Sequence, residues 1–386
     1  MSKMFSPQRR PKDLDTAIVY RREDEFCGWP HTSGFWEAAD GTLIANFIAI
    51  KVRYTSGDAI SHDVLGEGGG GASKLVTVRS KDRGKTWDGA NPQLNMFGSD
   101  RAPAEGTPPT LAKWGPIDYL DRNVLVANGS TEFGKPEARS YVRISKDGAR
   151  SWTPSVPLPM DNLYSLSAIN SSLVRPDGRC LLFMFESSKD GWNRRPLVYG
   201  SLPGGTEFHF MSYITKQHDP WGQADAEYDS SFRFGGHRWF YPRGYLLPNG
   251  RILCVLRSQR DPRGVMWTEV YASDDGGQTW GFLSRVNDFG SPGSLVQLDD
   301  GRLVMVYGQR LKPSGIWAQV SEDGGKSWGS ELVIRDDGGS WDLGYPNAWN
   351  AGGGKVGVLY YFNSKDDKVQ ANGGVRHIAR SIFSVD

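Results

Sequence analysis

The chain has 386 residues, and its 45 basic and 44 acidic side chains leave a formal net charge of +1. This balanced charge produces no overall field that would attract nucleic acid or an anionic membrane surface. Any binding must therefore come from a local site. The sequence contains no N-terminal apolar stretch of signal-peptide length and no run of about 18 apolar residues that could span a bilayer. We therefore expect a cytoplasmic protein without nucleic-acid or membrane partners.

The composition favours a fold built from short strands. Glycine (48), proline (22) and aromatic residues (12%) are frequent, and sustained helical periodicity is nearly absent. Cys27, Cys180 and Cys254 have no metal-type spacing, which is typical of reduced thiols; the last two lie within strand patterns and are expected in the core. The sequence thus predicts an all-β protein without a metal or other cofactor.

One eight-residue pattern, Ser-x-Asp-x-Gly-x-Thr/Ser-Trp, recurs along the chain. In such a segment the Asp can accept backbone N–H bonds, the Gly supplies a positive φ, and the Trp packs on a neighbouring element. The pattern therefore predicts hairpin turns between repeated strands, and nothing in it is catalytic. Its copies are 80–87 (SKDRGKTW), 145–152 (SKDGARSW), 273–280 (SDDGGQTW), 321–328 (SEDGGKSW) and a degenerate copy at 201–208 (SLPGGTEF).

A second repeated signal, a tight turn followed by a strongly apolar strand, sets the number of units. The turns fall at Asp40-Gly41, Asp121-Arg122, Asp177-Gly178, Asn249-Gly250, Asp300-Gly301 and Gly353-Gly354. Six such turns predict six four-stranded sheets, the first with a long insertion at 53–74. The sixth unit ends one strand short, and TAIVYR at 16–21 can supply it. We therefore expect residues 1–386 to form a single six-bladed β-propeller, with its last blade closed by an N-terminal strand.

These turn motifs on six all-β units resemble the Asp-box (BNR) repeats of the sialidase, or neuraminidase, superfamily. The resemblance implies a carbohydrate site at one end of the propeller axis, where inner strands begin and second strands end. It also implies a tyrosine nucleophile about eight residues before the last turn, which is Tyr345. Because a phenol ionises near pH 10, it needs a carboxylate that takes its proton, and Glu227 is the candidate. Asp63 or Glu67, in the glycine-rich insertion, is the expected proton donor.

The resemblance also implies arginines that bind a substrate carboxylate. Arg257 ends the run Gly250-Arg-Ile-Leu-Cys-Val-Leu-Arg257 and fits one of them. The other two positions correspond to His31 (or Gly28) and Gln319, and the family's glutamate position corresponds to Tyr241. The full set of expected substrate-binding residues is Arg257, His31, Trp29, Arg243, Asp342 and Gln319.

The leading hypothesis is a retaining, exo-acting glycoside hydrolase. Because two arginine positions are altered, its terminal sugar is expected to be neutral or a uronic acid rather than sialic acid. Two alternatives remain: a carbohydrate-binding propeller without turnover, and a propeller lyase or hydrolase that uses His31 as its base.

Overall fold

The computed structural model describes residues 8–55, 73–97, 109–189, 193–216, 238–259 and 265–386. Strands dominate these residues, so the all-β prediction is confirmed. The strands in chain order are β1 (Leu14–Tyr20), β2 (Glu25–Gly28), β3 (Phe35–Glu37), β4 (Leu43–Lys51), β5 (Lys74–Ser80), β6 (Gln93–Leu94), β7 (Leu125–Thr131), β8 (Arg139–Ser145), β9 (Val156–Pro157), β10 (Ser167–Val174), β11 (Cys180–Ser187), β12 (Arg194–Ser201), β13 (Phe208–Tyr213), β14 (Arg238–Leu246), β15 (Ile252–Gln259), β16 (Met266–Ser273), β17 (Gly281–Arg285), β18 (Gly290–Gln297), β19 (Leu303–Gln309), β20 (Gly315–Ser321), β21 (Leu332–Arg335), β22 (Gly344–Gly352), β23 (Lys355–Phe362) and β24 (His377–Ser384).

Helical structure in the described part of the chain is limited to short turns. These are α1 (Pro30–Ser33) and two 3₁₀ turns, Leu111–Trp114 and Ala371–Gly373. Among the described residues, none of these elements is long and apolar enough to cross a bilayer.

The chain divides into two compact units, residues 1–96 with 286–386, and residues 97–285. The first unit contains three antiparallel sheets, ordered β1-β24-β23-β22, β18-β19-β20-β21 and β2-β4-β5-β6, with β3 also pairing with β4. The second unit contains the sheet β7-β8-β9 and a larger sheet ordered β10-β11-β12-β14-β15-β16-β17, in which β13 also pairs with β12. Among the described residues, one parallel pairing, of Arg194 with Arg238, joins the two halves of that larger sheet.

The N-terminal strand completes the last sheet, as the sequence predicts. Strand β1 runs antiparallel to β24, with Leu14 opposite Phe383. The hydroxyls of Thr16 and Ser381 lie 2.8 Å apart across this pairing. The two ends of the chain are therefore joined in one sheet, which covers the edge that β24 would otherwise expose.

The four intact turn motifs share one hydrogen-bond pattern. In the third, the Ser273 hydroxyl donates to Asp275 at 2.8 Å, and the Gly277 N–H donates to Ser273 Oγ at 2.8 Å. The Thr279 N–H and hydroxyl donate to the two oxygens of Asp275 at 2.9 and 2.5 Å. Burial alone would raise the pKa of Asp275, but these hydrogen bonds outweigh it and lower that pKa to about 2. The motif is thus a self-contained turn, and its polar side chains are used inside it.

The degenerate copy at 201–208 folds differently. Pro203 replaces the Asp, and the Ser201 hydroxyl oxygen accepts the Cys180 N–H at 3.0 Å instead of a bond within the turn. The copy still joins the third and fourth strands of its sheet, β12 and β13, so its position in the repeat is as predicted.

The second repeat differs from the others in its described part. Its sheet has only β7, β8 and β9 among the described residues, and a 3₁₀ turn stands before the place predicted for the inner strand. Pro116 lacks an N–H, the Leu120 N–H bonds locally to Asp118 Oδ1 at 2.9 Å, and the Ile117 N–H donates to the Gly204 carbonyl at 3.0 Å. The described backbone groups at this point are therefore satisfied outside a strand pairing.

The core lies between and within the sheets. In the second unit, one apolar cluster joins β8, β11 and β12 through residues such as Val142, Leu182 and Tyr199. In the first unit, Val306, Val358 and Phe383 belong to another cluster. All three cysteines are buried free thiols, which confirms the core prediction for Cys180 and Cys254.

Candidate functional site

The start of β22 carries a backbone irregularity that sets the position of Tyr345. The pairing of β22 with β23 shifts between Gly344 and Asn347, and Tyr345 has φ 51°. Gly344 has φ 100°, and a Cβ there would lie 2.9 Å from the Gly308 Cα, so only glycine fits. Such bulges re-aim side chains and are frequent beside active sites.

The same irregularity recurs at the start of β14. Tyr241 has φ 55°, and the pairing of β14 with β15 shifts between Phe240 and Arg243. Both tyrosines precede a proline. Tyr345 and Tyr241 thus share a local backbone shape.

An arginine lies over the Tyr345 ring. The Arg310 guanidinium carbon is 5.6 Å from the Tyr345 ring centroid and 5.4 Å from that of Trp341. Its Nε donates to the Ser291 carbonyl and its Nη1 to the Trp341 carbonyl, each at 3.3 Å. Tyr345 is 1% exposed, whereas Trp341 is 52% exposed. The arrangement therefore places a fixed cation between a buried tyrosine and a solvent-facing indole.

A second tyrosine, Tyr361, packs against Tyr345 and holds a carboxylate. The two ring centroids are 5.7 Å apart with an interplanar angle of 61°. The Tyr361 hydroxyl donates to Asp342 Oδ1 at 2.5 Å. Burial, together with the Asp342 charge, raises the pKa of Tyr361 well above its usual value.

Asp342 is held from several sides. Its Oδ2 lies 3.6 Å from Nε of Arg376, whose side chain is fully buried. Its carbonyl accepts a bond from Asn363 Nδ2 at 2.7 Å, and Arg376 Nη2 donates to the neighbouring Ser340 hydroxyl at 2.9 Å. Asp342, predicted as a substrate-binding residue, is 3% exposed and is bound by protein groups.

Two predicted residues of the first repeat reach this cluster. The His31 ring is fully buried, and its Nδ1 lies 2.8 Å from the carbonyl oxygen of Pro346, next to Tyr345. The Trp29 ring lies 6.2 Å from that of Tyr361 and 5.1 Å from that of Phe26. The structure therefore brings His31, Trp29, Asp342 and Tyr345 together.

Arg257 lies in the second unit among other arginines. Its guanidinium carbon is 5.3 Å from the ring centroids of both Phe240 and Tyr241, and its Nη2 contacts the Met266 sulfur. The guanidinium groups of Arg194 and Arg238 lie 4.4 and 4.7 Å from the Phe240 centroid. The predicted binding residues Arg257 and Arg243 thus lie on adjacent paired strands, β15 and β14.

Arg243 has an unusual electrostatic environment. Burial lowers the pKa of its guanidinium to about 10. Its charged form is therefore less stable there than in water, which favours a nearby anionic group.

Gln319 is hydrogen-bonded within its own sheet. Its Nε2 donates to the Tyr307 hydroxyl at 3.0 Å, and that hydroxyl donates to Glu331 at 3.0 Å. Gln319 pairs with Met305 in the middle of β19, whereas Arg310 follows the end of that strand and lies over the Tyr345 ring. The role of Gln319 in substrate binding stays a prediction.

Sequence reasoning missed Arg310, Tyr361 and Arg376. A looser signal for Arg310 existed, because a Gly-Arg turn at 301–302 also leads through an apolar strand to an arginine, although Arg310 stands two residues later than Arg257 does in its run. Tyr361 and Arg376 carry no local pattern.

The predicted acids Asp63, Glu67 and Glu227 lie outside the described residues. Within the described ranges, no group of three or more His, Cys, Asp or Glu side chains could hold a metal ion.

Comparisons with known proteins show what this chain is similar to. Residues 196–358 match the BNR repeat-like domain. No curated protein matches the chain in sequence. A protein of unknown function from Dyadobacter fermentans is similar in structure, with a TM-score of 0.70, 22% identity, and coverage of 97% of this chain and 100% of the other.

Enzymes of carbohydrate chemistry share the fold at lower identity. Trypanosoma rangeli sialidase in complex with sialic acid has a TM-score of 0.55 and 13% identity, over 97% of this chain and 59% of its own. Penicillium chrysogenum alpha-L-arabinanase complexed with arabinobiose has a TM-score of 0.56 and 12% identity, over 97% and 99%. With the BNR repeat-like match, these neighbours confirm the resemblance to the sialidase superfamily that the turn motifs predict.

Proposed function

We propose that this chain is a sialidase-like exo-glycoside hydrolase that acts on a terminal sugar and retains the anomeric configuration. The observation that carries the proposal is the Tyr345 cluster, in which Arg310 and Tyr361 pack on Tyr345 and Asp342 lies behind Tyr361. A fold shared with a sialidase and an arabinanase supports carbohydrate chemistry. We further propose that residues 1–386 form one six-bladed propeller.

In the proposed reaction, Tyr345 is the nucleophile. Its oxygen bonds to the anomeric carbon as the bond from that carbon to the leaving oxygen breaks. Asp63 or Glu67 gives its proton to the leaving oxygen, and a carboxylate, Glu227 being the candidate, takes the phenolic proton of Tyr345. Water then gives a proton to the same Asp63 or Glu67 and bonds to the anomeric carbon as the bond to the Tyr345 oxygen breaks; that oxygen regains its proton from the carboxyl group, Glu227 being the candidate, and the sugar leaves.

Substrate binding is assigned to cationic and aromatic groups. Arg310 adds a second arginine to the Arg257 that the sequence predicts, and guanidinium groups suit carboxylates as well as sugar hydroxyls. The proposed substrates therefore stay neutral sugars and uronic acids, as expected from the sequence. His31 is assigned a positioning role, because its Nδ1 is engaged by the Pro346 carbonyl.

A panel of 4-methylumbelliferyl glycosides of neutral sugars, glucuronic acid and sialic acid tests the proposal. We expect release from at least one substrate, and Tyr345→Phe should lower kcat/KM at least about 10³-fold, as loss of a covalent nucleophile does. Tyr360→Phe is the matched control: it removes another buried phenol of the same sheet, whose hydroxyl lies 2.7 Å from Ser381. Equal activity of the two variants would refute the assignment.

A carbohydrate-binding protein without turnover is the second candidate. The exposed Trp341, whose ring faces the Arg310 guanidinium, favours it, since an indole beside a hydrogen-bond donor suits a sugar ring. Calorimetric binding of a glycoside that is not hydrolysed, lost in Trp341→Ala, would favour this alternative over the enzyme.

A further inference from the structure

The degenerate copy at 201–208 lacks the acidic pair of its intact counterpart. The second and third positions of the copy at 273–280 are aspartates, and the same positions of the degenerate copy are Leu202 and Pro203. The two glycines that follow nevertheless have φ 88° and 72°, against 74° and 94° in the intact copy. The degenerate copy therefore keeps a similar turn backbone without the carboxylates.

The hydrogen-bond donors that serve an aspartate in the intact copy are still present. Asp275 accepts the hydroxyl of the motif serine and the backbone N–H groups at the sixth and seventh positions. In the degenerate copy those N–H groups belong to Thr206 and Glu207, and neither makes a hydrogen bond within the described part of the chain. The Ser201 hydroxyl, 3% exposed, accepts the Cys180 N–H but donates to no described group. All three donors thus lack the acceptor that their equivalents share.

Arg179, at the neighbouring tight turn, lacks its partner as well. Its equivalent in the fourth repeat is Arg251, whose Nε lies 3.2 Å from Oδ1 of Asp274 in the intact copy. Leu202 replaces that aspartate beside Arg179. The Arg179 Nε donates to the Ser201 carbonyl at 2.9 Å, and its two Nη groups make no hydrogen bond to the described residues. This pair of Nη groups has the geometry that binds a carboxylate through two hydrogen bonds.

A surface cavity of about 380 Å³ lies at this turn. Arg179, Ser201 and Pro203 contribute to its lining, and Ile117 and Leu202 form an apolar part of its wall. The volume is that of a small ligand site, and an apolar wall beside hydrogen-bond donors suits the C–H face of a sugar ring. All of these residues belong to the second unit.

The acidic side chains around the cavity leave the charge of Arg179 uncompensated. Asp177, which also contributes to the lining, is ion-paired with Arg175 at 2.5 Å. The Glu207 carboxylate is 67% exposed, and it lies 3.8 Å from the His209 ring. No described carboxylate forms an ion pair with Arg179, so the cavity favours an anionic ligand.

We propose that the degenerate copy binds a carboxylate from outside the protein in place of its missing aspartate, and that the ligand is a uronic acid unit of a carbohydrate. The carboxylate pairs with Arg179 and accepts hydrogen bonds from the N–H groups of Thr206 and Glu207, while the sugar ring packs on Ile117 and Leu202. The site is separate from the proposed reaction, because none of its residues takes part in it.

Hydrogen exchange of the full-length protein, followed by mass spectrometry of the peptide that covers 201–208, tests the site. Mildly acidic pH slows the exchange of exposed amides enough to follow it and leaves a uronate ionised. We expect glucuronate to slow the bound amides about 10-fold at ten times its dissociation constant, by mass action, and glucose to have no effect. The peptide that covers 273–280 is the internal control, because Asp275 already accepts from its donors.

Unchanged exchange of the 201–208 peptide at up to about 100 mM glucuronate would overturn the proposal, since binding weaker than that contains no specific contact. Acetate that slows this peptide as strongly as glucuronate, at equal concentration, would overturn the assignment to a sugar acid.

Two pairs of variants test the cause. Arg179→Gln should weaken glucuronate binding at least about 10-fold, whereas Arg251→Gln, at the equivalent turn, should leave it unchanged. Pro203→Asp restores the motif carboxylate, so the peptide should exchange slowly without ligand, and glucuronate should add no protection. Pro203→Ala supplies no carboxylate and should respond to glucuronate as the wild type does.

Slowing by glucuronate of wild-type size in folded Arg179→Gln or Pro203→Asp would contradict the proposal, with folding checked by circular dichroism. Glycoside hydrolysis enters none of these measurements. A protein that shows the expected protection but hydrolyses no glycoside would therefore leave this inference standing and refute the proposed function.

Discussion

The first turn motif packs so closely on Trp349 that a single methyl group at Gly84 should be costly. Gly84 has φ 86°, and a Cβ there would lie 2.1 Å from Trp349 Cζ2. The indole cannot retreat, because a Cβ on Gly357 would likewise lie 2.1 Å from Trp349 Cε2, and Trp349 Nε1 donates to the Arg83 carbonyl at 3.0 Å. Gly84→Ala therefore forces an alanine into the left-handed backbone region and overpacks its contact with Trp349.

The expected loss in the free energy of unfolding is the sum of the backbone strain and the overpacking. A non-glycine residue in the left-handed region costs about 1 kcal/mol, and overpacking adds about 1–3 kcal/mol. We expect Gly84→Ala to lower the free energy of unfolding by about 3 kcal/mol. Gly277→Ala is the matched control at the same motif position: its φ is 94°, but the nearest atom to a new Cβ is the terminal Leu181 Cδ1 at 3.2 Å, a far smaller overlap. The free energy of unfolding of that variant should fall by only about 1 kcal/mol.

Equilibrium urea unfolding followed by circular dichroism measures both variants. Losses of equal size would show that the contact with Trp349 does not contribute, and the packing argument would then be wrong.

Other consequences can be measured independently. Ala149 occupies the same motif position with φ 66°, so Ala149→Gly should raise the free energy of unfolding by up to about 1 kcal/mol in the same urea assay; destabilisation would contradict the strain argument. The Asp275 pKa is lowered to about 2, so its contribution to stability is complete above about pH 4 and is lost as the pH falls towards 2. Asp275→Asn should therefore cost about 1 kcal/mol at neutral pH, after allowance for solvent screening, and nothing near pH 2; a constant difference across that range would refute the linkage. Arg310→Lys should lower kcat/KM on the best glycoside at least about 10-fold, because an ammonium cannot reproduce the planar contact with Tyr345; unchanged kinetics would remove Arg310 from the site.

Much of the fold could be predicted because its signals are local. The turn motifs carry their own hydrogen bonds, as Ser273 and Asp275 show, so their sequence determines their structure. The pairing of β1 with β24 could also be predicted, because the last repeat lacked a strand. The second repeat could not, since the sequence pattern predicts an inner strand where the described residues form a 3₁₀ turn before Pro116.

The site was only partly predictable because its contacts join distant segments. Counting from a turn proposes both Tyr345 and Gln319 as site residues, but it cannot show which side chains come together, because strand direction decides which end of a sheet a residue occupies. The Tyr361 hydroxyl and the Arg376 guanidinium both reach Asp342, and no spacing in the sequence announces those contacts. Only the three-dimensional structure shows the contacts of Tyr361 and Arg376 with Asp342.

The central claim is that Tyr345 is the covalent nucleophile of a glycoside hydrolase. Peptide mass spectrometry after incubation with activated fluoroglycosides of the sugars released in the panel tests it most directly. The account predicts one glycosyl adduct on the peptide that contains Tyr345, present in wild type and Tyr360→Phe and lost in Tyr345→Phe. An adduct on a carboxylate or on Tyr361, or steady hydrolysis by Tyr345→Phe, would contradict it.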